Sequence, residues 1–172
     1  MRTRKVTVLP YDPSWKDALC QIRQELAQAL GDLALAIEHV GSTSVEGLSA
    51  KPCIDIDLVI RDYGCFDRVV QCLEKVGYFH EGNLGIPDRE AFGYRDKPHL
   101  MAHHLYVCPQ YSRELHRHLT FRDFLRQNPA AVQAYSRVKE EAARLFPENI
   151  DGYMSYKSAC IGELYRQCGL EE

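Results

Sequence analysis

The stretch HVGSTSVEGLSAKPCIDIDLVI, residues 39–60, decides how this chain folds. Its second half is an apolar run that is interrupted by two aspartates, Asp55 and Asp57. On a β-strand, side chains two positions apart point to the same face, and their Cα atoms lie ~6.6 Å apart. The run therefore predicts a strand over residues 53–60 that presents both carboxylates on one face and apolar side chains on the other.

The two carboxylates predict a metal site. On one half-buried face they repel each other, unless a cation lies between them or one of them takes up a proton. A hard divalent cation such as Mg²⁺ or Mn²⁺ binds one or two carboxylates together with substrate phosphates. Two such ions ~3.5–4 Å apart stabilise both oxygens of an in-line displacement. Asp55 and Asp57 are therefore the predicted metal ligands and catalytic residues, and a solvated edge strand is disfavoured because residues 53–60 are too apolar.

The first half of the stretch is a turn of small residues. Backbone N–H groups and hydroxyls at a turn that leads into a helix attract phosphate. On its own the turn indicates an ordinary loop, but its spacing from the aspartate pair indicates a site. Lys51 lies between the two halves and is equally well explained by a phosphate contact or by solvation. The predicted phosphate-binding residues of this stretch are Gly41, Ser42, Thr43, Ser44 and Lys51.

The combination resembles the signature of the nucleotidyltransferase superfamily, in which a Gly-Ser pair is followed, after twelve residues, by Asp-apolar-Asp. The longer string, together with YDPSW, HHLYVC and a Tyr153–Lys157 stripe on the last predicted helix, resembles the GrpB-like family. The resemblance implies a nucleotidyltransferase-like fold and a Lys157 that reaches the nucleotide phosphates. It names no substrate, although some relatives are fused to dephospho-CoA kinase, which indicates nucleotide or coenzyme A metabolism.

The strand MAHHLYVC places His103 and His104 on opposite faces. His103 shares its face with apolar residues and His104 shares one with Tyr106, so His104 is the predicted catalytic histidine. Active nucleotidyltransferases usually take a third carboxylate from a neighbouring strand, and this strand carries none. Either His104 replaces it as a base, which an ordinary near-neutral pKa would permit, or the machinery is incomplete. A zinc site of His99, His103 and His104 with one aspartate is disfavoured because the histidines cannot share a strand face.

Two further groups of charged residues complete the candidates. Arg89, Arg95 and Lys97 predict a basic cluster, in which Arg89 and Arg95 would stabilise the charge of a triphosphate or of an acidic substrate. The alternative is a charged loop that is simply solvated. His116 and His118 are two positions apart on a predicted helix and are expected at the surface.

The remaining periodicity predicts an α+β fold, with a nucleotidyltransferase-like mixed β-sheet, helices packed on one side and a helical C-terminal part. We expect one domain over residues 1–172. The predicted strands cover residues 6–9, 34–40, 53–60, 78–80, 91–95 and 102–108, and the predicted helices cover residues 13–30, 62–76, 112–126, 129–146 and 151–168.

Composition excludes several classes of protein. The net charge of −3 argues against a duplex-DNA binder. Seven cysteines without a C-x-x-C pair indicate reduced thiols, not a disulfide framework. There is no apolar stretch of ~18 residues, and the first residues lack the apolar segment of a secretory signal. We therefore expect a cytoplasmic protein with no membrane partner, and the oligomeric state stays open.

Three functions fit these patterns. The first is a Mg²⁺-dependent nucleotidyltransferase that moves a nucleotidyl group from an NTP to a small-molecule acceptor. The second, which the missing third carboxylate favours, is a nucleotide- or CoA-binding module without catalysis. The third is a metal-dependent phosphohydrolase that uses the same aspartate pair.

Overall fold

The structure is a computed structural model that describes residues 5–170. Within that range it contains one sheet and five α-helices. The helices are α1 (Ser14–Leu30), α2 (Phe66–Lys75), α3 (Arg113–Gln127), α4 (Pro129–Leu145) and α5 (Ile150–Gln167), and the strands are β1 (Ala36–Val40), β2 (Ile54–Ile60), β3 (Tyr78–Gly82), β4 (Glu90–Tyr94) and β5 (His103–Pro109).

The five strands form a mixed sheet in the order β1-β2-β5-β4-β3. The strand β2, which carries the aspartate pair, is internal because it pairs antiparallel with β1 and parallel with β5. Parallel neighbours need a crossover connection, and the chain from α2 to β4 supplies it. The prediction of an α+β fold with a mixed β-sheet is confirmed.

The chain divides into two compact units. The sheet unit contains Ser14–Gly41 and Cys53–Leu119. The helical unit contains Ser42–Pro52, together with the described residues before Ser14 and after Leu119. One boundary falls directly after Gly41 and another falls inside α3. A single domain over residues 1–172 stays a prediction.

The sheet unit buries an apolar face of the sheet beneath α1 and α2. Helical spacing along α1 places its apolar side chains in one stripe. Phe66 of α2 packs edge-on against Phe92 of β4, with ring centroids 6.2 Å apart. The fully buried residues of this core include Ile22, Leu26, Ile54, Ile56, Leu58, Val69, Leu73 and Leu105.

The opposite face of the sheet contacts the beginning of α3. Leu115 packs against Val59 and Cys108 there, with Leu119 beside them. The prediction that helices pack on one side of the sheet is therefore correct for α1 and α2. It is wrong for the first turns of α3, which lie on the face that carries the aspartates. The apolar residues at the carboxyl ends of β2 and β5 draw α3 onto this face, because they would otherwise expose their side chains to water.

The helical unit has a core of its own. Residues of α3, α4 and α5 surround two residues of the turn segment, Val45 and Leu48. Arg126 holds this segment in place, because its Nε and Nη2 donate to the carbonyl oxygen of Ser44 at 3.0 and 2.8 Å. The buried members of the cluster are Val45, Leu48, Leu125, Val132, Tyr135 and Leu164.

The predicted strand over residues 6–9 is wrong. Leu9 forms a single bridge with Ala50, and the residues before it form no ladder in the described structure. Pro10 follows, and a proline has no N–H group with which to continue the pairing.

No helix within residues 5–170 is long and apolar enough to span a membrane.

Candidate functional site

Strand register aligns polar side chains in rows across one face of the sheet. Asp55 lies beside His104 and Asp57 lies beside Tyr106, where β2 runs parallel to β5. On the other side of β2, Glu38 is the antiparallel partner of Asp57. Directly opposed residues of antiparallel strands point to the same face. Glu38 is therefore a third carboxylate on this face, from a strand that was predicted from the sequence but was not considered as a source of a carboxylate.

Asp57 has the environment of a ligand for a cation. Its side chain is completely buried. Its Oδ2 lies 2.5 Å from Nδ1 of His118, while its Oδ1 is buried with no hydrogen-bond partner among the described residues. Leaving a buried polar atom unsatisfied costs about 1–3 kcal/mol, and more where the group is charged. Because a bound ion would remove this cost, the carboxylate fits a metal.

His118 is placed differently from its prediction as a surface residue. The ring is half-buried, and it bridges Asp57 through Nδ1 and Glu114 through Nε2, which lies 3.2 Å from Oε1. Burial alone would lower the pKa of His118, but the hydrogen bond and the charge of Asp57 raise it overall. Burial raises the pKa of Asp57, and the bond from His118 opposes that rise. The sequence signal that could have revealed this histidine is the Glu114–His118 spacing of four on one helix face.

Asp55 and His104 form a second carboxylate–imidazole pair. Oδ1 of Asp55 lies 3.0 Å from Nδ1 of His104. The hydrogen bond with Asp55, supported by one with Cys53, raises the pKa of His104 to about 10. At neutral pH His104 is therefore protonated and donates to Asp55. The expectation of a base with a near-neutral pKa does not describe this state, because the carboxylate stabilises the imidazolium.

Gly41 lies against Asp55 at a position that only glycine can occupy. Its φ is +73°, and a Cβ built on it would lie 2.3 Å from Oδ2 of Asp55. Both the left-handed backbone and the lack of space require glycine. The glycine of the predicted phosphate-binding turn therefore contacts Asp55 directly and limits where its carboxylate can lie.

The predicted basic cluster is not formed. Arg89 lies on the aspartate face, with its guanidinium carbon 4.2 Å from the centroid of the Tyr106 ring. Its Nε is buried and has no hydrogen-bond partner within residues 5–170. Arg95 is at the other end of β4, over the Phe79 ring at 5.3 Å. Lys97 is buried and pairs with Glu25 at 3.1 Å.

The other histidines of the predicted zinc alternative lie apart from the aspartates. His103 is buried on the apolar face, where Tyr78 Oη lies 2.7 Å from its Nε2 and Met101 O lies 2.8 Å from its Nδ1. Burial lowers the pKa of His103, so the neutral ring accepts from the tyrosine and donates to the carbonyl. His99 pairs with Glu25 at 3.2 Å. The structure therefore does not bring these histidines together with His104.

The helical unit holds the hydroxyl residues of the turn. Ser42 is half-buried, whereas Thr43 and Ser44 are buried. Lys139 of α4, itself buried, donates from Nζ to the Ser42 hydroxyl oxygen at 2.5 Å. The sequence reasoning missed this lysine, which follows Tyr135 by one helical turn and lies 4.9 Å from the centroid of its ring.

The two predicted lysines of the helical unit lie near Tyr153. Lys51 lines a pocket with Tyr153 and Lys5. Lys157 lies over the Tyr153 ring, with Nζ 4.7 Å from the centroid. In the Tyr-x-x-x-Lys stripe, Tyr153 is therefore buried and Lys157 is half-buried against its ring.

Comparison with solved structures supports the fold. The chain superposes on GrpB from Enterococcus faecalis with a TM-score of 0.81 and 34% identity, covering 94% of this chain and 96% of that one. Terminal uridylyl transferase 4 from Trypanosoma brucei, solved with bound CTP, gives a TM-score of 0.51 at 12% identity, over 91% of this chain and 52% of that one. The second likeness concerns the fold alone.

Comparison with curated sequences finds relatives of different lengths. The UPF0157 protein BH1888 of Halalkalibacterium halodurans is 37% identical over 163 residues, which are 94% of this chain and 82% of that protein. A dephospho-CoA kinase of Mycolicibacterium paratuberculosis is 27% identical over 185 residues, and there the chain spans only 46% of the relative. A sequence model of the family described as "GrpB protein" matches residues 5–167. The chain therefore belongs to the GrpB protein family.

Proposed function

We propose that this protein is a nucleotidyltransferase that moves a nucleotidyl group from an NTP to a small-molecule acceptor, with a divalent cation at Asp55 and Asp57. The observation that carries the proposal is the buried Oδ1 of Asp57, which has no hydrogen-bond partner among the described residues and lies on the same sheet face as Asp55. The likeness of the fold to a uridylyl transferase supports the class of reaction and does not name the acceptor.

The carboxylates of Asp55 and Asp57 would hold Mg²⁺ or Mn²⁺, which prefer oxygen ligands. When bound, the cation supplies stabilisation of the negative charge that develops on the transferred phosphoryl group. We assign the third carboxylate position to Glu38, because its register partner is Asp57. Although β5 carries no carboxylate, β1, on the other side of β2, supplies one.

The histidines of the site orient these carboxylates. His118 donates to Asp57, and the opposite ring nitrogen contacts Glu114, so the ring holds Oδ2 and leaves Oδ1 for the cation. His104 donates to Asp55 in its protonated form. Because hydrogen bonds that involve a charged group are short and strong, both carboxylates are positioned before a ligand arrives.

Arg89 is the cation best placed to meet a phosphate on this face. Its guanidinium rests on Tyr106, and its charge lowers the pKa of Asp57 against the larger effect of burial. The unpartnered Nε keeps one donor for an anionic oxygen. Arg95 lies about 20 Å along the strand from Arg89, given ~3.3 Å per residue, so one phosphate group does not contact both side chains.

The helical unit contributes separate candidates for phosphate contacts. Ser42 and Lys139 are the strongest of them, because a hydroxyl and a buried cation already meet there. The contacts predicted from the sequence stay predictions: in the helical unit they are Ser42, Thr43, Ser44, Lys51 and Lys157, and in the sheet unit they are Gly41 and Arg89, with Arg95 as a separate contact.

Calorimetric titration of each NTP, with and without Mg²⁺, tests the metal site. We expect wild type to bind an NTP in the presence of Mg²⁺ and Asp55→Asn and Asp57→Asn to lose that binding. Asp67→Asn, an exposed aspartate on α2, is the matched control and should behave as wild type. Equal binding by all four proteins, or binding that ignores Mg²⁺, would contradict the proposal.

A screen of labelled NTPs against small hydroxyl and amine acceptors tests the transfer itself. Glu38→Gln should bind the nucleotide and form little product, because the variant keeps the fold and loses the third carboxylate.

A second candidate is a nucleotide- or CoA-binding module without catalysis. It is favoured by the match to dephospho-CoA kinases and by the protonated His104, which leaves β5 without a base. It predicts saturable binding of a nucleotide or of CoA and no product with any acceptor. Release of phosphate to water without an acceptor would instead indicate a metal-dependent phosphohydrolase.

A further inference from the structure

A second group of potential ligands adjoins the aspartate pair. The Cys53 thiol, the Asp55 carboxylate and the His104 imidazole each offer one donor atom, and these atoms all lie within 4.8 Å of one another. We propose that these three side chains form a transition-metal site of the Zn²⁺ type, with its fourth position open to water or to a ligand. This site differs from the proposed Mg²⁺ site in its donors, because Cys53 offers sulfur and His104 offers nitrogen, and the two sites share Asp55.

The spacing suits a tetrahedral ion. Ligands at about 2.0–2.3 Å from Zn²⁺ lie roughly 3.3–3.8 Å from each other at the tetrahedral angle. The Asp55 and His104 donors are already 3.0 Å apart. The thiol, which lies within 4.8 Å of both donors, therefore has to approach them by at most about 1.5 Å, a shift within the range of a χ1 rotation.

The backbone brings the three donors together without a loop. Cys53 precedes β2 by one residue and is two positions from Asp55, so the two side chains point to the same side. His104 is the register partner of Asp55 on β5, whose start pairs with the start of β2. Ligands on the ends of two paired strands keep their spacing better than ligands on loops.

The chemistry of the donors decides which metal they select. Thiolate and imidazole ligands favour Zn²⁺, Co²⁺ and similar ions, whereas Mg²⁺ requires oxygen ligands. Three protein ligands and an open position are the pattern of catalytic zinc sites, while structural sites use four. Thiol and imidazole ligands coordinate in their deprotonated forms, so the affinity of such a site for a metal depends on pH.

Asp55 would be a ligand in both sites. An ion held by Cys53 and His104 takes the carboxylate that the Mg²⁺ site also needs. Zn²⁺ and Mg²⁺ should therefore compete for Asp55, with the thiolate deciding in favour of Zn²⁺.

Titration of the full-length, reduced protein with Co²⁺ tests the site, since Co²⁺ replaces Zn²⁺ and reports its ligands by absorption. We expect a thiolate-to-cobalt charge-transfer band in the near ultraviolet and intense visible bands of a tetrahedral ion, both abolished by added Zn²⁺. Cys53→Ser should remove the charge-transfer band and weaken Zn²⁺ binding more than ~100-fold, since the loss of outer partners alone costs 10–100-fold. Cys20→Ser, an exposed cysteine on α1, should keep the band.

Two further variants separate this site from the Mg²⁺ site. Asp57→Asn should retain the cobalt bands, because Asp57 is not among the three ligands, and His104→Asn should lose the tetrahedral visible bands. Absence of a charge-transfer band in the folded wild-type protein, or a band that persists in Cys53→Ser, would overturn the proposal. Loss of Mg²⁺-dependent NTP binding alone bears only on the proposed nucleotidyltransferase.

Discussion

Nδ1 of His118 lies 2.5 Å from Oδ2 of Asp57, so a histidine from α3 contacts the most deeply buried carboxylate of the sheet. Sixty-one residues of sequence separate the two. The contact assigns one carboxylate oxygen to a donor inside the protein and leaves the other for a ligand.

Removing His118 should destabilise the protein in a pH-dependent way. His118→Ala leaves Asp57 without its donor, at an expected cost of about 1–3 kcal/mol in the free energy of unfolding. Because the folded state raises the pKa of His118 above its ordinary 6.5, its stabilisation is complete below that value while Asp57 is ionised, and is lost as the pH rises through the raised pKa.

Urea denaturation of wild type and His118→Ala at several pH values from 6 upwards measures this difference, which should shrink with rising pH. His116→Ala, an exposed histidine on the same helix, serves as the control and should change little. A cost that grows as the pH rises would contradict the assigned direction.

A methyl group at Gly41 should disturb Asp55. Gly41→Ala introduces backbone strain at φ +73° and places Cβ against the carboxylate. We expect a loss of about 1–2 kcal/mol of stability from the left-handed backbone, and a larger loss of Mg²⁺-dependent nucleotide binding because Asp55 must rotate.

Gly47→Ala separates these two effects. Its φ is +84°, so the backbone cost is similar, but its Cβ would lie 3.9 Å from Val132 Cγ1, an ordinary contact. Thermal unfolding and calorimetric titration of both variants give the comparison. Equal loss of nucleotide binding by the two would show that the contact with Asp55 is unimportant.

Glu25 should stabilise the sheet unit above pH 4.5. Its carboxylate pairs with the buried Lys97 at 3.1 Å and with His99 at 3.2 Å. Burial alone would raise the pKa of Glu25, but the hydrogen bonds from Lys97 and His99 lower it from 4.5 overall. A lowered carboxylate pKa means that the stabilisation is present above the unfolded value and is lost as the pH falls through the folded one.

Glu25→Gln should therefore lower the free energy of unfolding by about 1.5–3 kcal/mol at pH 7, since a buried lysine loses its charged partner. The difference from wild type should fade in denaturation curves taken below pH 4.5. Glu74→Gln, an exposed glutamate on α2, is the control. A difference that is unchanged at low pH would rule out the ion pair as its source.

Lys139 should matter more to nucleotide binding than Lys157. Lys139→Met removes the buried ammonium group that meets Ser42, and we expect an NTP to bind at least tenfold more weakly, or about 1.4 kcal/mol. Lys157→Met keeps the same unit intact and removes an ammonium group that lies over the Tyr153 ring. Calorimetry of both variants decides, and a larger effect at Lys157 would favour the role that the family resemblance implies.

Strand periodicity explains why much of the candidate site was accessible to prediction. Alternation along a strand is a property of the backbone, so Asp55 and Asp57 on one face, and His104 opposite to His103, follow from spacing alone. The helix boundaries were predicted to within a few residues for the same reason, since apolar periodicity and prolines are local. The strand over residues 6–9 failed because a strand exists only where a partner continues it.

The contacts of the site are a different matter. The Glu114–His118 spacing places these two side chains on one helix face, but it does not indicate that α3 passes over Asp57, and a histidine at the surface of a polar helix is the ordinary expectation. Glu38 was overlooked because its position beside Asp57 depends on which strands are neighbours of β2. The predicted basic cluster does not form because Arg89 and Arg95 lie at opposite ends of β4 and Lys97 forms a salt bridge with Glu25.

The sequence by itself determined the family, the fold class and the face on which the two aspartates lie, because these depend on local periodicity and on a continuous motif. Only the tertiary structure decided that His118 contacts Asp57, that Glu38 is on the same face, and that Cys53 and His104 converge on Asp55. The physical reason is that strand order, register and helix packing are set by burial of apolar surface across the whole sheet unit, and that burial brings together polar residues whose sequence spacing carries no sign of the contact.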